Sequence, residues 1–122
     1  MSEKTKAESQ KIRRDYEVSK MIFIVESYLE ALKLKHPPIR SNKFTEVAYS
    51  KVACEEILAR LKASGDLPFN MTVLDILEQF VERNKRFTSE HPNKQHSDCF
   101  MEAAFLGEYF IEQYWFNGLG DN

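Results

Sequence analysis

The chain has 122 residues, 43% hydrophobic and 30% charged, which excludes wholesale disorder and fits one domain able to bury a core without disulfides or metals. Four glycines and four prolines provide few turns and argue against an all-β fold. The net charge of −2 combines a basic half (residues 1–65, with 13 Lys and Arg against 9 Asp and Glu) and an acidic half (residues 66–122, with 4 against 10), which either pack together or face different neighbours.

The first predicted element is a long helix from about Lys6 to Lys35. Its core-facing residues fall within one arc of a helical wheel, and they are Val18, Met21, Ile22, Ile24, Val25, Tyr28, Leu29 and Leu32. The run MIFIV at 21–25 is compatible with a strand, but the residues four positions before and after it keep the helical period. The sequence HPP at 36–38 ends the helix, because proline restricts the preceding residue and has no backbone N–H.

The second helix is predicted at about Glu46–Ser64 and the third at about Thr72–Thr88. Thr45 is expected to cap the second helix, and Gly65 is placed to end it in a left-handed conformation. The sequence TVLD at 72–75 resembles a capping box with Asp in place of Glu. The predicted core residues of the two helices are Val47, Cys54, Ile57, Leu58, Leu61, Val73, Leu74, Ile76, Leu77, Phe80, Val81 and Phe87.

Two polar features mark the third helix. Glu82 and Arg86 have the spacing of a favourable i,i+4 ion pair. Asn84 is the one polar residue in the middle of the apolar stripe. A buried amide at this position can fix the helix register or pair with another subunit, but we expect Asn84 to lie at the solvated end of the bundle.

The fourth helix, at about Asp98–Phe116, follows a polar connection and has Ser97 as its expected cap. Its predicted core residues are Cys99, Phe100, Ala103, Leu106, Phe110, Ile111, Tyr114 and Trp115. Small side chains at Ala103, Ala104 and Gly107 allow a neighbouring helix to approach closely. The whole pattern predicts an all-α fold, an up-down four-helix bundle with a long N-terminal helix, forming a single domain over 1–122 in which residues 1–10 are flexible or overhang.

The solvent side of the fourth helix carries an unexpected aromatic ladder. Met101, Phe105 and Tyr109 follow at i+4 steps, and Phe116 lies on the same line. They lie among carboxylates that include Glu108 and Glu112. Apolar patches of this kind mark interaction sites, so a protein partner or a second copy is one interpretation. The others are that the first helix covers the ladder, or that a ligand or nucleic acid binds there; the carboxylates argue against DNA, because they repel phosphate.

The length of the first helix gives an independent indication. Its roughly thirty residues span about 45 Å, while its partners span about 27 Å, so its first half is expected to overhang the bundle or to pack on something else. Ile12 and Tyr16 lie there, on an off-core line shared with Phe23 and Leu34. Either the N-terminus is frayed and solvated, or it lies against another subunit of a symmetric dimer.

The predicted partner-binding residues are expected to be exposed, either on one of these two apolar lines or on the acidic face beside the ladder. They are Met101, Phe105, Tyr109, Glu108, Glu112, Phe116, Tyr16 and Phe23. The function expected from them is protein–protein association, as a homodimer or as an accessory protein that binds a partner.

Nucleic-acid binding is the alternative function. The stretch KTKAESQKIRRDYEVSK at 4–20 holds six basic residues. Pairs such as Lys11–Asp15 and Arg13–Glu17 are instead typical of a solvated helix. The connection GDLPFNM is longer than a usual helix-turn-helix turn, and the third helix is acidic where a recognition helix is basic.

The residues with reactive or metal-ligating side chains do not form a known catalytic pattern. His91, His96, Asp98 and Cys99 are zinc-compatible types, but their spacing matches no closed site. Cys54 is expected to be a buried, inert thiol. There is no phosphate-binding loop, GxSxG or ExxH motif. We therefore expect a non-enzymatic protein with no cofactor, metal or membrane span, in a reducing cytoplasm.

The second half of the chain, PFNMTVLDILEQFVERNKRF followed by SDCFMEAAFLGEYFIEQYW, resembles small helical proteins of unassigned function carried on bacterial mobile elements. The resemblance covers about 50 residues, an amphipathic helix opened by a turn and followed by a second helix, which is an unspecific motif. It transfers no active-site residue. It implies a cytoplasmic accessory or partner-modulating protein.

Overall fold

The computed structural model describes residues 3–34, 42–68, 71–91 and 93–119, and within these ranges it contains helices and no strands. The four α-helices are α1 (Glu3–Lys33), α2 (Asn42–Lys62), α3 (Val73–Glu90) and α4 (Lys94–Phe116). A 3₁₀ turn, Ser64–Asp66, follows α2. The all-α prediction with the first helix longest, at 31 residues, is confirmed.

The four helices form an up-down bundle. Backbone contacts are most extensive between α3 and α4, followed by α1 with α2 and then α2 with α4. Successive helices run in opposite directions, so α2 and α4 lie side by side with the same direction. No helix in the described part of the chain has the length and apolar character that crossing a membrane requires.

One stripe from each helix supplies the core, as the helical period predicts. The largest fully buried side chains include Phe80, Phe110 and Met21. Trp115 is a correction: it was predicted in the core but is 49% exposed. It lies edge-on to Tyr114 with ring centroids 5.2 Å apart, seven positions after the partly exposed Glu108, so it shares the solvent-facing side of α4.

Helices α3 and α4 approach each other closely at Gly107. A Cβ atom at this position would lie 2.6 Å from Val81 Cγ2 and 3.0 Å from Phe80 Cδ1, shorter than real carbon contacts. The neighbouring Ala103 and Ala104 are buried. The prediction that small residues allow close approach is confirmed.

Helix α3 begins with the predicted capping box. Asp75 N donates to Thr72 Oγ1 at 3.2 Å, and Thr72 N donates to Asp75 Oδ2 at 2.9 Å. Both backbone donors are therefore satisfied within the first turn.

Three other predicted helix ends are wrong. Helix α2 already begins at Asn42, so Thr45 lies inside it and its side chain is outside the described residues. Gly65 lies in the 3₁₀ turn without a positive φ. Ser97 lies inside α4, where Asn93 Oδ1 instead accepts from His96 N at 3.2 Å. The predicted stop at 36–38 lies outside the described residues, as does the side chain of Val47.

The two polar predictions for α3 are also corrected. Asn84 is 4% exposed, so it does not lie at a solvated end of the bundle. Helix α3 continues for six residues beyond it, to Glu90. Its Nδ2 donates to the Phe80 carbonyl at 2.8 Å, which satisfies the buried amide within its own helix. Among the described residues, no ion pair joins Glu82 to Arg86.

Candidate interaction surface

The outward side of α4 carries four large apolar side chains that the fold leaves partly exposed. The exposed fraction is 42% for Met101, 55% for Phe105, 39% for Tyr109 and 84% for Phe116. We call these four residues the outer stripe. Since a helix turns every 3.6 residues, this stripe faces away from the side that buries Phe110.

Carboxylates flank the outer stripe. Asp98 and Glu112 are exposed, while Glu102 and Glu108 are partly exposed. Lys85 Nζ on α3 lies 2.7 Å from Glu108 Oε1, and this hydrogen bond and charge raise the pKa of Lys85. The stripe is therefore an apolar line within an acidic surface, and one carboxylate of that surface already has a cationic partner.

Helix α1 covers one edge of the outer stripe. The ring of Tyr28 lies 5.4 Å from that of Tyr109 and 5.5 Å from that of Phe110. Burial raises the pKa of Tyr28, and negative charge at Cys54, Tyr109 and Glu102 adds to the shift. The first helix thus reaches Tyr109 but leaves Phe105 largely exposed, so the interpretation that it covers the whole ladder does not hold.

The packed part of α1 begins at Arg14. This residue is 4% exposed, and its Nη1 donates to the carbonyls of Leu67 at 3.1 Å and Pro68 at 2.6 Å. Every side chain described between Lys6 and Arg13 is exposed. We call Glu3–Arg13 the projecting segment; it extends roughly 16 Å, less than the predicted half of the helix.

Glu17 corrects the prediction that Arg13 and Glu17 form a solvated pair. The residue is 3% exposed, Tyr114 Oη donates to its Oε1 at 3.3 Å, and Arg13 Nε lies 3.5 Å from the same atom. Burial first, and then the charge of Glu17, raise the pKa of Tyr114 to about 12. Tyr114 is close to the end of α4, so the projecting segment runs past that end.

The sequence contained a signal for this packing that the prediction missed. Arg14 and Glu17 lie four positions before Val18 and Met21, so they continue the core stripe towards the N-terminus. Because both side chains are charged, they were expected to be solvated, and this continuation of the core stripe was not predicted. Helical position, and not residue type, was the better guide.

The two remaining predicted partner-binding residues lie on α1. Tyr16 is 56% exposed and Phe23 is 71% exposed. Lys20 Nζ lies 5.7 Å from the Tyr16 ring centroid, while Phe23 lines a shallow groove with Leu34. In the part of the chain that the structure describes, no ring contact joins either residue to the outer stripe, so one chain presents two separate apolar surfaces.

Of the predicted metal-ligating residues, Asp98 flanks the outer stripe, whereas His91 and His96 lie near Phe100 and near each other. The rings of His91 and Phe100 are 5.1 Å apart, and those of His91 and His96 are 6.2 Å apart. The described residues contain no group of three or more His, Cys, Asp or Glu side chains that could hold a metal ion. Cys54 is fully buried, as predicted, and burial raises its pKa to about 12, which disfavours the reactive thiolate at neutral pH.

Comparison of the chain with protein-family models, with curated proteins and with solved structures finds no match. The resemblance of the second half to small helical proteins of mobile elements therefore stays a prediction.

Proposed function

We propose that this is a non-enzymatic, cytoplasmic accessory protein that acts through protein–protein association. The partner that binds the outer stripe is a second copy of the same chain. The observation that supports the proposal is the exposure of Phe105 and Phe116, at 55% and 84%, on a helix whose other side is fully packed. In this dimer, the projecting segment of each copy lies along the outer stripe of the other.

Apolar area supplies the driving force. Burying an exposed phenylalanine contributes about 1.5–3 kcal/mol. The outer stripe spans residues 101–116, or roughly 22 Å of helix. The projecting segment offers Ile12, which is 70% exposed, and Tyr16, three residues beyond its end, is 56% exposed. Segment and stripe are therefore of comparable length and both carry apolar side chains.

The charges of the two surfaces are complementary. The projecting segment contains four basic and two acidic residues, whereas α4 contains one lysine and four acidic residues. Lys6 and Lys11 are exposed, and so are Asp98 and Glu112. Opposite charges across an interface favour the correct partner and speed its encounter.

Geometry favours a second copy over contact within one chain. Because Glu17 meets Tyr114 near the end of α4, the residues before it extend beyond their own α4 and cannot fold back along it while α1 stays straight. A two-fold axis pairs each projecting segment with the other copy's stripe and doubles the buried area, towards the ~1,200–2,000 Å² of a specific interface.

Sedimentation velocity across a concentration series tests the proposal. We expect the wild type to shift from monomer to dimer, and Phe105→Glu to remain monomeric because the substitution removes apolar area that the dimer buries. The matched control is Val52→Glu on α2, where the wild-type side chain is 57% exposed and the dimer should persist. A wild-type chain that remains monomeric throughout contradicts the proposal.

Nucleic-acid binding by the basic N-terminal part of α1 is the second candidate, supported by the exposed Lys6, Lys11 and Lys20. Two of the six basic residues of this region are committed elsewhere, since Arg14 bonds to backbone carbonyls and Arg13 pairs with Glu17. A gel shift with duplex DNA at low salt tests this function. Retention that is lost in Lys6→Gln/Lys11→Gln supports it, and no retention excludes it.

A further inference from the structure

The cleft between α2 and α3 contains three of the six arginines of the chain. Its lining residues are Arg60 from α2 and Gln79, Glu82, Arg83 and Arg86 from α3, around an open groove of about 400 Å³. The four α3 residues follow at i, i+3, i+4 and i+7, so one helix face presents them all. The association proposed above uses none of these side chains.

We propose that this groove binds a small ligand that carries phosphate groups. A guanidinium presents a planar set of N–H donors that matches the oxygens of a phosphate group and bonds to two of them at once. Three arginines around one groove therefore provide donors for a ligand with two linked phosphate groups.

The groove keeps an excess of positive charge. Glu82 is the one carboxylate that lines it, and Arg60 Nη2 is paired with Glu56 Oε1 at 3.0 Å. With both carboxylates counted, three arginines face two acids. Among the described residues, no carboxylate lies within ion-pair distance of Arg83 or Arg86. Two of the three guanidiniums are therefore not neutralised by the protein itself.

Aromatic rings hold two of the guanidiniums in position. The guanidinium carbon of Arg60 lies 5.9 Å from the ring centroid of Phe80, and that of Arg83 lies 5.3 Å from the ring centroid of Phe87. Both distances are within the range of cation–π attraction. Phe80 is fully buried and is thus a fixed support. A side chain that is already placed loses less conformational entropy when it binds a ligand.

Arg60 also retains hydrogen-bonding capacity. Its Nε is buried and has no hydrogen-bond partner among the described residues. A guanidinium offers five N–H donors, so with Nε buried and one Nη2 donor used by Glu56, the remaining Nη donors are left for a further anionic group.

Isothermal titration calorimetry with sodium pyrophosphate at low ionic strength tests the inference. We expect Arg83→Gln/Arg86→Gln to weaken binding by about tenfold or more, because two charge-assisted contacts are lost. The matched control removes the same charge elsewhere, in Lys20→Gln/Lys62→Gln, and should change the affinity by less than about twofold. Circular dichroism checks that both variants keep the helical content of the wild type.

Three outcomes overturn the inference. One is no binding of pyrophosphate by the wild type up to about 5 mM, which is weaker than a specific site requires. The second is an equal loss in the two double variants, which indicates non-specific attraction. The third is arginine-dependent binding of duplex DNA without binding of pyrophosphate, which assigns the groove to nucleic acid. None of these results bears on dimer formation, since the two surfaces share no residue.

Discussion

Phe105 and Phe110 lie five positions apart on α4 and occupy opposite environments. Phe110 is fully buried and Phe105 is 55% exposed. The ring of Phe110 meets Tyr28 edge-on at 5.5 Å, and Phe110 belongs to the core cluster with residues from all four helices. The aromatic content of α4 thus divides into a side that the fold requires and a side that the fold does not use.

That division separates stability from function. Residues on the inner side are explained by close packing, whose loss leaves a cavity. Residues on the outer side contribute little to the fold of one chain, so their presence calls for another explanation, for which we propose association. Paired substitutions on the two sides of α4 test this division.

The largest expected effect is that of Phe110→Ala. Removing a fully buried ring should lower the free energy of unfolding by about 3–5 kcal/mol, whereas Phe105→Ala should change it by less than about 0.5 kcal/mol in the monomer. Urea denaturation at low protein concentration measures both values. Similar losses at the two positions would show that Phe105 is also part of the packed core.

A smaller effect is expected at the glycine that allows α3 and α4 to meet. Gly107→Ala places a methyl group 2.6 Å from Val81 Cγ2, and overpacking of this kind lowers stability by about 1–3 kcal/mol. The control is Gly65→Ala, where no atom lies within 4 Å of the added carbon. The midpoint of urea denaturation should fall for the first variant and not for the second; an unchanged midpoint for Gly107→Ala would contradict the close approach.

The smallest effect is a dependence of stability on alkaline pH. Burial raises the pKa of Cys54 from 9.0 to about 12, so the unfolded chain loses this proton at a lower pH than the folded chain. Above pH 9 the unfolded state therefore binds fewer protons, and stability falls as pH rises, by about 1.4 kcal/mol between pH 8 and pH 10 for this group.

Urea denaturation at these two pH values in wild type and Cys54→Ala measures that dependence. The variant should lose the part of the decrease that Cys54 contributes, while the part from Tyr28 and Tyr114, whose pKa values are also raised, remains. Burial also raises the pKa of Cys99, but this residue is only partly buried, so Cys99→Ala should lose a smaller part of the decrease than Cys54→Ala. An identical decrease in wild type and Cys54→Ala would show that Cys54 does not carry the dependence.

Local pattern was sufficient to predict the fold. Each helix, its buried stripe and the capping box at Thr72 depend on residues within one or two helical turns of each other. Their spacing can therefore be read from the sequence. The exposure of Phe105 follows from the same spacing.

Features that depend on how distant segments meet were not predictable in this way. Arg14 is buried because it bonds to the carbonyls of Leu67 and Pro68, which lie beyond the C-terminal end of α2 and more than 50 residues away in the sequence. The arginine groove forms because Arg60 on α2 lies opposite Arg83 and Arg86 on α3. The spacing of residues within one helix cannot predict a contact between two helices.

Mixing two charge-reversed variants tests association between projecting segment and outer stripe most directly. In the first, Lys6→Glu/Lys11→Glu, the segment becomes acidic; in the second, Asp98→Lys/Glu112→Lys, the borders of the stripe become basic. Each variant alone should sediment as a monomer, because like charges meet at both contacts of the dimer. Their equimolar mixture should sediment as a dimer, since both contacts of the mixed pair then join opposite charges. A mixture that remains monomeric, or single variants that dimerise as well as the wild type, would contradict the account.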